Sequence, residues 1–311
     1  MLIAPASHPL AAARPSTREC AVRLGMPQLT LGGLSETWLL KELGAIHWQL
    51  IAEAAGLEQP AFRDTDGADV YPAFCGTSIA GARLNAAQEH DLLVIASDLA
   101  RVSATQCASR HHLMCRGQPI GEVSLSSVFV KRGVTRNNQG LVRVASPMLD
   151  LPIRRDFVPI TALASSIRSG RWQSHFGFSP RTAEELGQMT FQPCPAQDFN
   201  GAGLLYFPSF SAFVDRAEWA MFGQLDLTTK ARDVVYHGNI DPGETVVVSL
   251  LGLRRDPRAT THWCQLTSPA GRRLADVFTS KTHAGRHVSM SHPPSCQTMI
   301  LDRPLDPSHE D

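Results

Sequence analysis

Two side chains that can act as nucleophiles lie four residues apart in the apolar segment Val70–Ile79, which has the composition of a β-strand. Tyr71 carries a phenol and Cys75 a thiol, and side chains four apart on a strand point to the same face. A phenol, with a pKa of about 10, and a thiol, with a pKa of about 8.5, can each attack a carbonyl carbon. Because the thiolate is the better nucleophile at neutral pH, the two residues stay open as alternatives.

A second candidate is the turn Asp198-Phe-Asn200-Gly201, which precedes an aromatic-rich segment ending at Trp219. The Asn200 carboxamide can donate a hydrogen bond but cannot accept a proton near neutral pH. With Gly201 beside it and a predicted helix start downstream, Asn200 could stabilise an enolate or another oxyanion. The alternative is a purely structural role, because Asn-Gly pairs favour tight turns.

Other polar residues allow a functional and a structural interpretation. The adjacent His111 and His112 should face opposite sides of a strand, one buried and one in solvent. Asp215 and Glu218 could line a pocket, or they could be ordinary helix acids paired with Arg216. Five arginines between the two halves could hold phosphates or could be solvated: Arg154, Arg155, Arg168, Arg171 and Arg181.

These residues belong to a pattern of elements that occurs twice. The first half begins with a helix from Ser35, a good N-cap, to Ala55, and Gly56 follows as a stop. Four strands follow it, at Val70–Ile79, Asp91–Ser103, Ser109–Cys115 and Gly121–Arg132. The second half has a helix at Ser209–Phe222 and strands at Val234–Ile240, Glu244–Leu253, Thr261–Leu266 and Arg273–Lys281. The ends of the halves overlay, with His112 and Phe129 matching His262 and Phe278.

One helix followed by antiparallel strands, twice, predicts an α+β double hot-dog fold: two tandem units, each with a long central helix wrapped by an antiparallel sheet. A single unit leaves a sheet edge and an apolar face uncovered, so the two units should pair within the chain and a homodimer is optional. The expected boundaries are a disordered extension (1–18), a first unit (19–140), a crossover linker (141–195), a second unit (196–290) and a flexible tail (291–311). The linker should contain a weak helix at Pro180–Leu186 that Gly187 ends.

The composition excludes several classes of protein. The 311 residues are 43% hydrophobic and 19% charged, and 29 basic residues balance 29 acidic ones. We therefore expect a folded chain between residues 19 and 290 and no nucleic-acid partner. The seven cysteines contain no Cys-x-x-Cys pair, which favours a reduced cytoplasmic protein without a zinc site. No segment has the run of about 20 apolar residues that a membrane span needs.

The stretch Asp198–Trp219 resembles the start of the central helix in hot-dog acyl-CoA thioesterases. Those enzymes carry an Asp-x-Asp-x-x-Gly turn whose second acid activates water, and that position is Asn200 here. The first half has no carboxylate at its matching position either, around Gly25-Met26. The resemblance implies an acyl-thioester cradle that has lost general-base hydrolysis.

The first half carries a narrower resemblance, in Gly25-Met-Pro-Gln-Leu, Gly32-Gly-Leu-Ser-Glu and His47-Trp48. It is similar to the bifunctional acyltransferase/decarboxylases of leinamycin-type polyketide biosynthesis, over residues 20–285. The resemblance implies that Tyr71 accepts a (methyl)malonyl group from coenzyme A, and that decarboxylated propionyl or acetyl passes to an acyl carrier protein. Asn200 and Gly201 would hold the oxyanion or substrate, and Arg168 and Arg171 the coenzyme A. Coenzyme A thioester is then a substrate, and no permanent cofactor or metal is expected.

Two other functions stay open. One is an acyl-CoA or acyl-carrier-protein thioesterase, or a dehydratase-like enzyme, that uses a base other than the missing acids. The other is a non-catalytic protein that binds acyl thioesters, which a Tyr71 buried away from any pocket would favour.

Overall fold

The computed structural model describes residues 17–64, 66–134, 137–144, 151, 153–154, 158–224 and 227–283. The expected tail at 291–311 and most of the expected extension at 1–18 lie outside these residues, as does Arg155. Thr17 and Arg18, which we expected in the extension, begin the first strand.

The described residues form thirteen strands and four α-helices. The first half contains β1 (Thr17–Arg23), β2 (Leu29–Thr30), β3 (Gly33–Leu34), α1 (Glu36–Ala54), β4 (Tyr71–Ala80), β5 (Leu92–Ser103), β6 (Gln106–Cys115), β7 (Gln118–Arg132) and β8 (Leu141–Arg143). Then follow α2 (Val158–Arg168), β9 (Gly187–Phe191), α3 (Pro195–Asp198), α4 (Phe207–Phe222), β10 (Leu227–Tyr236), β11 (Val246–Arg255), β12 (Ala259–Thr267) and β13 (Arg273–His283). None of these helices is long and apolar enough to cross a membrane.

Eleven strands form one large antiparallel sheet, in the order β1-β5-β6-β7-β4-β10-β13-β12-β11-β9, with β8 paired to β7. Read inward from β1 or from β9, the sheet shows the same order. The strand before the long helix comes first, then the second, third and fourth strands after that helix, and last the first strand after it. The equivalent strands β4 and β10 meet at the centre, in a register that runs from Gly76 opposite Val235 to Ile79 opposite Arg232. This junction makes the sheet continuous between the two halves.

Helix α1 has the start and stop signals that the sequence indicated, whereas α4 begins at Phe207, two residues before the expected Ser209. The Ser35 side chain accepts a hydrogen bond from Trp38 N at 3.2 Å at the start of α1. Left-handed glycines follow both helices, Gly56 with φ of 73° and Gly223 with φ of 60°. Helices α1 and α4 share one apolar core with the inner face of the sheet, where Leu43 and Phe213 are fully buried.

The segment between the halves differs from its prediction. The helix expected at Pro180–Leu186 is wrong: a 3-10 turn spans Pro180–Thr182, and Gly187 begins β9 rather than ending a helix. Backbone pairing explains the difference, because Glu184 N and Leu186 N donate to β11 carbonyls. The true helix, α2, lies earlier and packs on the outer face of the sheet.

The two histidines of β6 alternate as expected, with His111 fully buried and His112 exposed. The proposed match between His112 and His262 is wrong, since His262 is buried. Phe129 packs in the core around the long helices, whereas Phe278 packs against α2 on the outer face. The matched residues therefore lie on opposite faces of their strands, and any shift by an odd number of residues has that effect.

Candidate active site

A cavity of about 340 Å³ opens where β4 begins, where β10 ends and where α4 starts. Tyr71, Asn200 and Arg168 line it. Residues of α1, β7, β8 and the segment after β10 complete its wall. A second cavity shares Trp48, Tyr71, Asn200 and Tyr206 with the first and adds Gly201. The chain therefore brings the predicted residues Tyr71, Asn200 and Gly201 to one place. The volume lies in the range of small-molecule sites.

The three tyrosines of the chain all line the main cavity, but in different states. The Tyr236 hydroxyl lies 3.3 Å from Thr77 Oγ1 and donates to the Phe207 carbonyl at 3.2 Å. Burial raises the pKa of Tyr236 far above its ordinary value and also raises the pKa of Tyr206. The Tyr71 hydroxyl has no hydrogen-bond partner among the described residues. The Tyr206 hydroxyl has no partner in the described part of the chain either, so the hydrogen bonds commit Tyr236 to the fold and leave the Tyr71 and Tyr206 phenols unbonded.

Cys75 shares the outer face of β4 with Tyr71, as the strand period predicts. A β-bulge interrupts β4 between Phe74 and Gly76, so that Cys75 is the extra residue opposite β7. Its thiol is buried and lies 3.3 Å from Ser126 Oγ. Cys75 lines the cavity as well, so geometry alone leaves both nucleophiles in place.

The Asn200 side chain stabilises its own turn through Oδ1 and keeps its Nδ2 donor unpaired in the described part of the chain. Its Oδ1 accepts the backbone N–H groups of Ala202 and Leu204, each at 3.1 Å. Because two donors face one oxygen, the orientation of the amide is fixed. The Nδ2 group has no partner among the described residues. Asn200 is therefore both the turn residue of the structural interpretation and a possible donor to a ligand.

Asp198, the first acid of the turn, has a structural role. Its carboxylate accepts the backbone N–H of Cys194 at 2.8 Å, and its carbonyl accepts from Tyr206 N at 2.7 Å and Ser209 Oγ at 3.1 Å. These bonds hold the approach to α4. At the start of α4, Pro208 has no N–H and Ser209 N donates to the Tyr206 carbonyl at 2.9 Å, so of the first three residues only Phe207 has a backbone N–H without a partner in the described part of the chain.

Four arginines line the main cavity, and no Asp or Glu does so among the described residues: Arg143, Arg168, Arg272 and Arg273. Arg168 donates to the carbonyls of Cys75 at 2.6 Å and Tyr236 at 2.7 Å, which ties α2 to the β4–β10 junction. Burial lowers the pKa of Arg168, and the positive charge of Arg143 adds to that effect. Arg272 Nη1 donates to the Asn239 carbonyl at 2.8 Å, while its buried Nη2 lacks a partner in the described part of the chain. The cavity wall is therefore positive.

The other predicted arginines lie elsewhere. Arg171 is exposed, and its Nε donates to Ser169 Oγ at 3.0 Å. Arg154 pairs with Asp98 at 2.7 Å, and Arg181 is exposed on the 3-10 turn. None of these three lines the main cavity.

A histidine that the sequence analysis missed also lines this cavity. His237 follows β10, and its Nε2 lies 2.6 Å from Asp276 Oδ2 of β13. Asp276 is fully buried and also accepts hydrogen bonds from Trp263, Gln265 and Arg273. Burial alone would raise the pKa of Asp276, but the bond from His237 and the charge of Arg273 outweigh it and lower the pKa. The pair is distant in sequence, so only the pairing of β10 with β13 reveals it.

Asp215 and Glu218 form a separate charged network rather than pairing with Arg216; Glu218 is buried and Asp215 is half-buried. Asp215 bonds Arg232 at 2.6 Å and Lys281 at 2.8 Å, and Glu218 bonds Lys281 at 2.8 Å. Glu218 also accepts from His262 at 3.1 Å. Neither acid lines the main cavity.

No family model and no curated protein matches the sequence. Solved structures do match the fold. A 12:0-ACP thioesterase from Umbellularia californica superposes with a TM-score of 0.61 at 9% identity, over 86% of this chain and 94% of the other. An acyl-ACP thioesterase from Bacteroides thetaiotaomicron gives a TM-score of 0.57 at 8% identity, over 86% and 98%. The chain therefore has a hot-dog thioesterase-like fold, built on a large antiparallel sheet with few helices.

Proposed function

We propose that this protein is an acyl-thioester-processing enzyme that transfers a malonyl-type acyl group from coenzyme A to an acyl carrier protein and decarboxylates it. The observation that carries the proposal is one cavity that Tyr71 and Asn200 share, with four arginines and no described carboxylate in its wall. The similarity to enzymes named as acyl-ACP thioesterases supports a thioester substrate. In this proposal the chain is a double hot dog with units at 19–140 and 196–290, since the strand order repeats around the β4–β10 junction.

The reaction uses the cavity in three steps. The Tyr71 oxygen attacks the thioester carbonyl, and coenzyme A leaves as the thiol, so that an aryl ester forms. The C–C bond to the carboxylate breaks, carbon dioxide leaves, and the Asn200 amide stabilises the enolate oxygen until a proton from solvent reaches the enolate carbon. The thiol of the carrier's phosphopantetheine arm then attacks the ester and frees the phenol.

The positive wall gives the reason for a malonyl-type substrate. A free carboxylate on the acyl group, or a phosphate of coenzyme A, supplies the partner that the buried Arg272 Nη2 lacks. Replacing Arg272 with Gln removes the charge and should raise the KM for methylmalonyl-CoA by roughly tenfold or more. If the acyl carboxylate is the partner, the KM for acetyl-CoA stays within about twofold; if the phosphate is the partner, both KM values rise. Arg181→Gln, an exposed change outside the cavity, serves as the matched control.

Thioester hydrolysis is the second candidate, and His237 favours it. A histidine held by a buried carboxylate can deprotonate water, which would replace the acid missing at Asn200. The two candidates differ in their products. The protein is mixed with malonyl-, methylmalonyl- and acetyl-CoA, with and without a carrier protein, and the products are measured by intact-protein and small-molecule mass spectrometry. Decarboxylated acyl carrier supports transfer, whereas free acid as the main product contradicts it and supports hydrolysis.

A further inference from the structure

We infer that His237, held by Asp276, is the general base of this cavity, and that it moves the proton between the Tyr71 phenol and the substrate thiols. The inference rests on the proposed function in one respect, namely that Tyr71 accepts the acyl group.

The hydrogen-bond pattern assigns the proton on His237. Its Nε2 faces a carboxylate that can only accept, so Nε2 carries the proton and Nδ1 is the basic nitrogen of the neutral ring. Nδ1 has no hydrogen-bond partner among the described residues. The His237 side chain is 11% exposed and lines the cavity, so the free nitrogen belongs to a ring that a ligand can reach.

Asp276 is placed to position this ring rather than to react itself. Trp263 Nε1 and Gln265 Nε2 donate to its Oδ1 at 3.1 and 3.2 Å, and Arg273 and His237 approach its Oδ2. The carboxylate is fully buried and does not line the cavity. With its lowered pKa it stays ionised and stabilises the imidazolium that a proton transfer creates.

The strand pairing brings His237 to the end of the sheet where Tyr71 lies. Strands β4 and β10 are antiparallel neighbours, so the start of β4 and the end of β10 meet at the same end. Tyr71 is the first residue of β4, and His237 directly follows the last residue of β10. Both side chains line the same cavity.

His237 balances the protons of the two acyl transfers, while the decarboxylation consumes one further proton, which solvent gives to the enolate carbon. His237 Nδ1 takes the phenol proton as Tyr71 attacks the thioester, and it gives that proton to the departing thiolate of coenzyme A. It then takes the proton of the carrier thiol as the sulfur attacks the aryl ester. When the C–O bond to Tyr71 breaks, the imidazolium returns the proton to the phenolate. No oxidant or further reactant is needed.

The test compares His237→Gln with His175→Gln. His175 forms a similar pair with Asp233, at 2.7 Å, but does not line the main cavity. Single-turnover acylation by methylmalonyl-CoA is followed by intact-protein mass spectrometry between pH 5 and 9, together with coenzyme A thioester Kd and Tm. His237→Gln should slow acylation by roughly 10²–10⁴-fold and remove the acidic limb of the pH profile, with Kd within about threefold. His175→Gln should keep both the rate and the limb.

Wild-type rate and pH profile in His237→Gln would overturn the inference. Asp276→Asn provides a second measurement. If Asp276 positions His237, the acidic limb of the pH profile should shift, because the imidazolium loses its counter-charge. If Asp276 has only a structural role, the limb should stay in place. If either substitution unfolds the protein, histidine NMR of wild type gives the answer. A thioester analogue in the cavity should shift the His237 ring signals and leave those of His175 unchanged. Unchanged His237 signals would overturn the inference. Failure of the proposed function looks different, because wild type itself would then form no acyl-enzyme.

Discussion

At Asn200, the difference between a carboxamide and a carboxylate decides whether the turn can activate water. The two backbone N–H groups that hold Oδ1 would hold a carboxylate oxygen equally well. The second oxygen would then take the place of Nδ2, which has no partner in the described part of the chain. A substitution at this position therefore changes the chemistry while the turn is kept.

Asn200→Asp should increase acyl-CoA hydrolysis, because it puts a proton acceptor where the amide donor stands. Asn200→Ala should lower transfer turnover by roughly 10²–10³-fold, the usual loss for one oxyanion donor. Free acid and acyl carrier are quantified together, and Tm confirms that the turn survives. The account of Asn200 is wrong if Asn200→Asp hydrolyses no faster than wild type and Asn200→Ala transfers at the wild-type rate.

Among the secondary-structure elements, β6 and α1 share a buried chain of neutral polar groups. His47 of α1 lies 2.7 Å from Ser109 Oγ and 2.8 Å from Ser127 Oγ, and Ser109 Oγ lies 2.8 Å from His111 Nε2. Burial lowers the pKa of His47 to about 3, and burial with the charge of His47 lowers the pKa of His111 to about 3. Both rings stay neutral in the folded protein at moderately acidic pH.

The two buried histidines make the free energy of unfolding decrease as the pH falls. Between the unfolded histidine pKa of about 6.5 and the folded value, the unfolded state binds more protons, so acid favours unfolding. The contribution of the two rings to stability is complete above about pH 6.5 and declines as the pH falls toward the folded value. Urea unfolding from pH 7 to 5 should show this decrease. Imidazole NMR should show His47 and His111 unchanged to pH 5, and a midpoint above pH 5 for either ring would contradict the assignment.

The elements also show what the sequence could and could not reveal. Periodicity and capping residues indicate α1, because Ser35 and Gly56 act within a few residues of its ends, whereas α4 has no side-chain cap at its start and begins two residues before the expected Ser209. Strand β9 and helix α2 were not foreseen, since β9 depends on pairing with distant β11. In the site, Tyr71 and Asn200 could be identified from local sequence. Arg272 and the pair His237–Asp276 could not, because the register of β10 against β13 brings them together.

For the whole molecule, the two halves repeat their strand order but differ at the equivalent of the active site. Gly44 of α1 borders the second cavity beside Tyr206. Counted from the first residue of each helix, the same position of α4 is Asp215. Phe207, the first residue of α4, corresponds to Glu36, the first residue of α1. Asp215 and Glu36 both bind the buried Arg232, each at 2.6 Å. The cavity at this place is smaller, about 170 Å³, and has the acids Glu36 and Asp215 in its wall, so we expect one coenzyme A thioester to bind per chain.

The same network makes Arg232 important for stability. Arg232→Met leaves two acids without their buried partner and should lower the free energy of unfolding by about 3–5 kcal/mol. Arg216→Met, an exposed change on the same helix as Asp215, should cost less than about 1 kcal/mol. Urea denaturation of both variants measures the difference. Equal stability of the two variants would show that the network does not hold the halves together.

If Tyr71 carries the acyl group, mass spectrometry can locate that group on the chain. Wild type, Tyr71→Phe, Tyr206→Phe and Cys75→Ala are each mixed with methylmalonyl-CoA, quenched, digested and mapped by peptide mass spectrometry. We expect an acyl adduct on Tyr71 in wild type, Tyr206→Phe and Cys75→Ala, and none in Tyr71→Phe, which should also fail to load the carrier protein. An adduct on Cys75 or Tyr206, or transfer by Tyr71→Phe at the wild-type rate, would contradict this expectation.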